Sequence, residues 1–355
     1  MPLAGALLLG LGCTPGCDSR PPPEAREAIT EQPWAGRAVA DHHVHLLSPA
    51  LVEDWKRLGA RFSREPAAYL SMAGLMKADS DARMILDAAL VVPMAHLYGD
   101  ADFRRGLGLT LDAEQARVRA ENMGVAAEAL RYGGRVTATC SVPALRPYAL
   151  DELQFCHRSL DVLGLKLHLA SSGVDLREAD HLASVTELLA YADANGLFVL
   201  LHLDPQRRGT ESTDIETFIE KVLEPYPELP ISIAHLGGSG GYGAWTRTVF
   251  LTLVEWLERE RASGRGRDKV YFDLSAVVLK ERREGLDATT IDELDLLAGD
   301  LRSLGFSQLL FGSDYPVFMP HSVLDSLVDG LKLTPAEVDQ LLVNRFPGPE
   351  TGAAK

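Results

Sequence analysis

The chain has 355 residues, of which 46% are hydrophobic and 24% charged, a composition typical of a soluble globular protein. A formal net charge of −15 argues against nucleic acid as a partner, because binding a phosphate backbone needs a basic surface, and we expect a small-molecule substrate instead. The length exceeds one ordinary domain, although some α/β folds fill it as a single unit.

The N-terminal region differs from the rest of the chain. Residues 3–11 form an apolar run that leads into Gly12-Cys13. This resembles the lipobox of bacterial lipoproteins, although no Lys or Arg precedes the run. We therefore predict an export signal over residues 1–17. Lipidated Cys13 would then provide the membrane contact in the periplasm or cell envelope. If the segment is not a signal, we expect a cytoplasmic protein.

Three further segments follow the predicted signal. Residues 18–33 are rich in proline and charge and are predicted to form a flexible tether. Residues 34–347 are predicted to form one folded domain, and residues 348–355 a tail. The sequence leaves a homo-oligomer open.

Within the folded domain, short apolar runs alternate with longer amphipathic ones. Most of the short runs are continuously apolar, which is typical of parallel strands covered by helices. Eight such runs occur, at 38–45, 87–93, 135–142, 162–168, 197–203, 230–236, 269–276 and 307–313. Between them lie helical stripes, and two short helices are predicted after the last strand, around 324–331 and 335–342. Eight β–α units in series predict a single-domain (β/α)8 TIM barrel with closing C-terminal helices.

Polar residues interrupt these apolar runs where the strands end. His43 and His45 end the first run on one face of a strand, which is the geometry needed to hold one metal ion. His202 ends the fifth run, His235 the sixth, and Asp314 follows the eighth. Because catalytic groups of such barrels lie at the carboxyl ends of the strands, these five residues predict a metal site there.

The motifs at the strand ends resemble those of the amidohydrolase superfamily. The similarity is to the amidohydrolase-related branch, which includes aminocarboxymuconate-semialdehyde decarboxylase and metal-dependent lactonases, and it covers residues 38–345. The matching motifs are Asp41-x-His43-x-His45, Gly164-Leu-Lys-Leu-His168, His202, Ala234-His235-Leu-Gly-Gly238 and Gly312-Ser-Asp314-Tyr-Pro316.

The resemblance implies roles for the strand-end residues. His43, His45, His202 and Asp314 would ligate one divalent metal ion, with Zn²⁺ expected. Asp314 would also transfer a proton from the activated water, and His235 would transfer a proton or polarise a carbonyl. A strand-four lysine bridges two metals in other branches, so a binuclear site involving Lys166 is the alternative to the mononuclear site that we expect.

Substrate contacts are predicted from residues that follow other strands. Lys166 and His168 share one face of the fourth strand, and His96 and Tyr98 follow the second. Arg207 and Arg208 follow the fifth strand and would bind a carboxylate, with a solvent-exposed loop as an equal alternative.

Several buried residues carry structural expectations. Asp41 is expected to be a buried polar group that supports the metal ligands. His42 has the opposite parity to His43 and is expected to face the helices. Cys140 and Cys156 could pair in an exported protein, but because one lies in a strand-like run and the other in a helix-like run, we expect two buried free thiols.

Three functions are compatible with the sequence. The first is a metal-dependent hydrolase that uses activated water on a small ester, lactone or amide. The second is a metal-dependent non-oxidative decarboxylase of a small unsaturated or aromatic carboxylic acid. The third is an exported binding protein without catalysis.

Overall fold

The computed structural model describes residues 32–204, 211–282 and 286–346. It contains one eight-stranded parallel sheet in which the strands follow one another in chain order, β1 to β8. The strands are β1 Ala38–Leu46, β2 Ile85–Pro93, β3 Val136–Ser141, β4 Gly164–His168, β5 Phe198–His202, β6 Ile231–Ile233, β7 Val270–Asp273 and β8 Leu309–Leu310. All eight predicted strands and the single-domain barrel are confirmed.

Helices follow the strands and pack on the outside of the sheet. The α-helices are α1 Pro49–Arg57, α2 Met72–Asp81, α3 Ala101–Leu107, α4 Leu111–Leu130, α5 Ala149–Leu160, α6 Ala179–Ala194, α7 Ser212–Phe218, α8 Ala244–Ala262, α9 Ile291–Leu304, α10 Pro320–Leu331 and α11 Pro335–Val343. The last two are the predicted closing helices. No helix in the described ranges is long and apolar enough to cross a membrane.

Individual hydrogen bonds join the first and last strands. The backbone N–H of His42 donates to the carbonyl of Phe311 at 2.9 Å, and that of His45 donates to the carbonyl of Tyr315 at 2.7 Å. In the opposite direction, the N–H of Asp314 donates to the carbonyl of His43 at 2.8 Å. The barrel therefore closes through β1 and the segment after β8.

The interior of the barrel is filled at its N-terminal end. Leu90 on β2 and Phe198 on β5 belong to one buried cluster, and because these strands are not neighbours, their side chains can meet only across the barrel. Phe346, after the last helix, packs edge-on against Phe198 at a centroid distance of 5.1 Å. This packing leaves the opposite end of the barrel for polar groups.

The predicted orientation of His42 is wrong. The β1–β2 register shifts between Asp41 and Val44, so a bulge breaks the simple alternation of faces. His42 shares a small cavity with Leu90 and Phe346 rather than facing the helices. Its Nδ1 donates to the carbonyl of Phe311 at 2.9 Å and its Nε2 accepts from the N–H of Phe346, which is a structural role.

The prediction of two free thiols is also wrong. Cys140 on β3 and Cys156 on α5 are fully buried and joined by a disulfide, with their Cα atoms 5.9 Å apart. The helix that follows β3 returns across the strand it has just left, so two cysteines 16 residues apart meet.

Buried carboxylates on α4 bind the N-terminal ends of α1 and α2 and the Tyr148 hydroxyl just before α5. Glu114, Glu121 and Glu128 are spaced by seven residues and lie along one side of the helix. Glu121 accepts from the backbone N–H of Ser48 at 3.1 Å, and Glu128 accepts from that of Met72 at 3.0 Å. Helix α4 thereby positions loops at the carboxyl end of the barrel.

Candidate metal centre and active site

His43 and His45 direct their Nε2 atoms towards each other. The Nδ1 of His45 lies 3.1 Å from the carbonyl of Val92, and the Nδ1 of His43 lies 3.0 Å from the Asp273 carboxylate. Both partners only accept hydrogen bonds, so each ring in its neutral form carries its hydrogen on Nδ1. In that form the two Nε2 atoms, 3.1 Å apart, are both lone-pair acceptors with no hydrogen between them.

Asp314 brings a third acceptor to the same point. Its Oδ1 lies 3.2 Å from the Nε2 of His45 and 3.9 Å from that of His43. Asp314 adopts a left-handed conformation, with φ of 60°, four residues after the end of the last strand. Such a conformation is unfavourable for a residue with a Cβ, and it is retained here where it aims the carboxylate at the two histidines.

His202 lies beside this group with an unsatisfied nitrogen. Its Nε2 is buried and has no hydrogen-bond partner among the described residues. Burial lowers the pKa of His202 well below its usual value, and the neighbouring His168 lowers it further, so the ring is neutral at pH 7. Its ring lies 4.8 Å from that of His235. A buried nitrogen without a partner is costly unless a ligand or ion satisfies it.

His235 follows β6 in a strained turn. Its φ is 52° and that of the next residue, Leu236, is 55°. The Nδ1 of His235 donates to the carbonyl of Ser275 at 2.8 Å, so the Nε2 of the neutral ring is an acceptor. The ring stacks on that of His43 at 5.0 Å. His235 therefore offers a proton-accepting nitrogen next to the proposed metal ligands.

Asp273, the last residue of β7, and Ser275, two residues further on, are functional candidates that sequence reasoning missed. Asp273 is fully buried and accepts from the backbone N–H groups of His235 and Ser275, both at 3.1 Å, as well as from His43. Burial by itself raises the pKa of Asp273, but the interaction with His43, to which it is hydrogen-bonded, outweighs burial, and the pKa lies below its usual range. Its place at a strand end, like that of His202, was the available sequence signal.

Lys166 reaches the centre from β4. Its Nζ lies 3.5 Å from the Nε2 of His43, which is longer than an ordinary hydrogen bond of about 2.7–3.2 Å. The side chain is fully buried, and burial lowers its pKa to about 8. In the described part of the chain Lys166 forms no ion pair with a carboxylate.

His96 and His168 extend the centre on the side of Lys166. The rings of His96 and His168 lie 4.8 Å apart, and His168 stacks on His202 at 3.8 Å. The Nδ1 of His96 lies 2.9 Å from the hydroxyl of Ser141, while its buried Nε2 has no partner among the described residues. Burial lowers the pKa of His96 well below its usual value, and the charge of Lys166 lowers it further.

The other predicted residues have different outcomes. Asp41 is fully buried, and its Oδ1 accepts from the N–H groups of His43 and Ser313 at 3.0 Å each, as expected of a supporting group. Tyr98, predicted to line the pocket, packs instead on Phe103, and its hydroxyl donates to Asp54 at 3.1 Å. The predicted carboxylate-binding pair of Arg207 and Arg208 and the predicted lipid anchor Cys13 lie outside the described residues.

The residues present fit a divalent cation. His43, His45 and Asp314 place one ligand atom each within 4.8 Å of one another. Three acceptor atoms that converge without a hydrogen between them repel one another, and a cation removes that repulsion. Imidazole nitrogen and carboxylate oxygen are also the ligands found in catalytic zinc sites.

A parallel barrel whose strand ends carry such a site belongs to the class of metal-dependent barrel enzymes. The family model described as amidohydrolase matches residues 40–344. The chain is therefore a member of the amidohydrolase family. A search of the curated proteins finds no significant match.

Solved structures share the fold at low sequence identity. The 5-carboxyvanillate decarboxylase of Sphingomonas paucimobilis superposes with a TM-score of 0.56 at 12% identity, covering 86% of this chain and 96% of that one. The corresponding decarboxylase of Novosphingobium aromaticivorans, solved with bound manganese, gives 0.54 at 13%, covering 86% and 94%. A Pseudomonas putida protein assigned as a 2-pyrone-4,6-dicarboxylic acid hydrolase gives 0.50 at 20%, also covering 86% and 94%.

Proposed function

We propose that the protein is a metal-dependent hydrolase of a small ester, lactone or amide that carries a carboxylate. One observation carries the proposal: the converging acceptor atoms of His43, His45 and Asp314 lie next to the ring of His235, whose Nδ1 is engaged by Ser275. A divalent ion held by the first three residues and His202 would lower the pKa of a water molecule and polarise a substrate carbonyl.

Proton transfer in this proposal falls to His235. Because Nδ1 donates to Ser275, the neutral ring accepts a proton from the attacking water only at Nε2. Once protonated there, Nε2 becomes a donor that can deliver the proton to the leaving group. The alternative role, polarising the carbonyl before attack, would need a hydrogen on Nε2 that the neutral ring does not carry.

Lys166 and His96 support an anionic substrate. The hydroxyl of Ser141 accepts from the backbone N–H of His96 at 3.2 Å and can donate its own hydrogen to Nδ1, which leaves a hydrogen on the His96 Nε2. A buried ammonium without an ion pair and a buried N–H donor without a partner are both satisfied by a carboxylate.

Non-oxidative decarboxylation is the second candidate, and the same two residues favour it equally. Loss of carbon dioxide requires a carboxylate held near the centre and a proton delivered to the carbanion, for which protonated His235 is placed. Two of the structural neighbours described above are named as decarboxylases and one as a hydrolase.

The deciding experiment uses purified full-length protein with measured metal content. It is loaded separately with zinc and manganese and screened against lactones, esters, amides and aromatic carboxylic acids. Incorporation of ¹⁸O from labelled water into the product supports hydrolysis. Release of carbon dioxide without such incorporation assigns the decarboxylase instead. His235→Gln with unchanged activity and full metal content would contradict both mechanisms.

We also propose that the protein works in the cell envelope, anchored through Cys13. The Cys140–Cys156 disulfide supports this location because disulfides persist in oxidising compartments and are rare in the cytosol. Separation of membrane and soluble fractions of the wild type and Cys13→Ala tests the anchor. Equal distribution of the two proteins would argue against it.

A further inference from the structure

We infer that Asp273 and Ser275 are positioning residues that together fix which ring nitrogen carries the hydrogen in both His43 and His235. The inference rests on the proposed function, in which His43 binds the metal and His235 transfers the proton. It adds that two residues at the end of β7 prepare one histidine for metal binding and the other for proton transfer.

Both rings turn the same nitrogen towards the same two residues. The Nδ1 of His43 lies 3.0 Å from the Oδ2 of Asp273 and 3.1 Å from the Oγ of Ser275. The Nδ1 of His235 lies 2.8 Å from the carbonyl oxygen of Ser275 and 2.9 Å from its Oγ. All four side chains are at most 2% exposed, so water does not compete for these contacts.

The hydrogens in this group can be assigned from its acceptors. The hydroxyl of Ser275 donates to the Oδ1 of Asp273, which leaves the Ser275 oxygen as an acceptor towards the rings. The carboxylate and the Ser275 carbonyl also only accept. Each ring must therefore supply its hydrogen at Nδ1, and both Nε2 lone pairs face the centre.

Asp273 also holds the backbone that carries His235. Its Oδ1 accepts from the N–H groups of His235 and Ser275 at 3.1 Å each. His235 occupies the left-handed region, where an ordinary residue remains only if its surroundings enforce it. An asparagine at this position could not replace the carboxylate, because its single amide oxygen would serve the two backbone N–H groups and its NH2 would turn a donor towards the Nδ1–H of His43.

A second metal ion is the competing explanation for this cluster. The possible ligand atoms of His43, His235 and Asp273 also lie within 4.8 Å of one another. An ion there would displace the hydrogens from both Nδ1 atoms, whereas positioning keeps them. The two explanations therefore predict opposite ring protonation.

The first test is ¹⁵N NMR of the histidine rings in metal-free wild-type protein, with the signals assigned by their loss in His43→Gln and His235→Gln. We expect the Nδ1–H form for both rings, also after one equivalent of Zn²⁺ is added. An Nε2–H form of either ring in the metal-free protein, or loss of Nδ1–H with bound metal, would overturn the inference. This measurement needs no activity, so it is separate from a failure of the proposed reaction.

The second test compares metal affinity in variants. Asp273→Asn is expected to show an Nε2–H population at His43 and to bind Zn²⁺ about 10–100-fold more weakly, the usual effect of losing a carboxylate partner of a ligand. Asp54→Asn, a buried carboxylate in another network, is the matched control and should bind Zn²⁺ as the wild type does. Ser275→Ala should show the smaller change, and Ser232→Ala, a buried serine of the neighbouring strand, none.

The outcomes separate the two proposals. If Asp273→Asn keeps both Nδ1–H forms and wild-type affinity, the positioning role is wrong. If Asp273→Asn does not fold, the wild-type spectrum still decides the question. A wild type that shows both Nδ1–H forms but binds no divalent ion would contradict the proposed function while leaving the ring assignment intact.

Discussion

Gly312 packs directly against His43: a methyl group at Gly312 would lie 2.9 Å from the His43 Cβ and 3.2 Å from the Ser275 Cβ. Gly312→Ala should therefore displace His43, weaken binding of a divalent ion at least about tenfold and cost roughly 1–3 kcal/mol of unfolding free energy. Titration calorimetry and urea unfolding measure the two effects. Gly299→Ala, at an exposed position of α9 with nothing within 4 Å of the added methyl group, should leave metal binding unchanged and stabilise the fold by about 0.5–1 kcal/mol. Equal behaviour of the two variants would contradict this packing argument.

His202 provides a test of the fourth proposed ligand. The wild type should unfold at a higher temperature when zinc or manganese is added. A metal concentration of 100 times the dissociation constant should stabilise the folded state by about 2.7 kcal/mol. His202→Ala should lose most of this shift because its buried nitrogen is removed. His157→Ala, on α5 with its ring against Tyr191, is the control and should keep the full shift. A metal-induced shift that survives in His202→Ala would remove His202 from the ligand set.

Lys166 should govern the binding of a carboxylate. Once a substrate is known, Lys166→Met is expected to raise its KM about 10–100-fold with a smaller change in kcat, because the buried ammonium is lost. The matched comparison is the same substrate with its carboxylate converted to a neutral amide, for which both proteins should have similar KM values. Metal content must be equal in both proteins, since Lys166 contacts His43. An equal rise in KM for the charged and the neutral compound would exclude an anion-binding role of Lys166.

Glu121 should make stability depend on pH. Burial raises its pKa to about 7 from a usual value of 4.5, so the folded state binds this proton more tightly than the unfolded state. Its contribution to stability is then full below pH 4.5 and is lost as the pH rises to 7, by about 2–3 kcal/mol. Glu121→Gln removes this component, so the stability of the variant relative to the wild type should rise between pH 4.5 and 8. Urea unfolding at several pH values measures the difference in unfolding free energy between the variant and the wild type. A difference that does not vary with pH would refute the role of Glu121.

The Cys140–Cys156 disulfide should stabilise the fold. It closes a loop of 16 residues, for which the chain-entropy model gives about 3 kcal/mol. The Cys140→Ala, Cys156→Ala double variant should lose about this much relative to the oxidised wild type. Dithiothreitol should lower the unfolding free energy of the wild type towards that of the double variant, and it should leave that of the double variant unchanged. If full reduction of the wild type under denaturing conditions leaves its unfolding free energy unchanged, the disulfide does not stabilise the fold.

The fold could be predicted from the sequence because its strands are buried on both sides. A parallel strand under helices is continuously apolar, so each strand is visible without its neighbours. The same reasoning located the rim of the site, since His202 and His235 interrupt such runs at their ends. The pattern therefore predicted which residues meet at the carboxyl end of the barrel.

Details that depend on local geometry could not be predicted in this way. The bulge between Asp41 and Val44 changes the direction of His42 without changing composition. The disulfide depends on how α5 packs on β3, which spacing alone does not specify. Asp273 was visible at the end of its run, but its importance depends on the ring that it faces, and that ring belongs to a residue 230 positions away.

The proposed ligands stand on both sides of the closure between the first and last strands. His43 and His45 belong to β1, Asp314 to the segment after β8, and only individual hydrogen bonds join these segments. A bound ion would thus link the two ends of the sheet through its ligands. Metal binding would then be a late step of folding that stabilises the barrel closure. The amide hydrogens of His45 and Asp314 should exchange with solvent more slowly in the metal-bound protein.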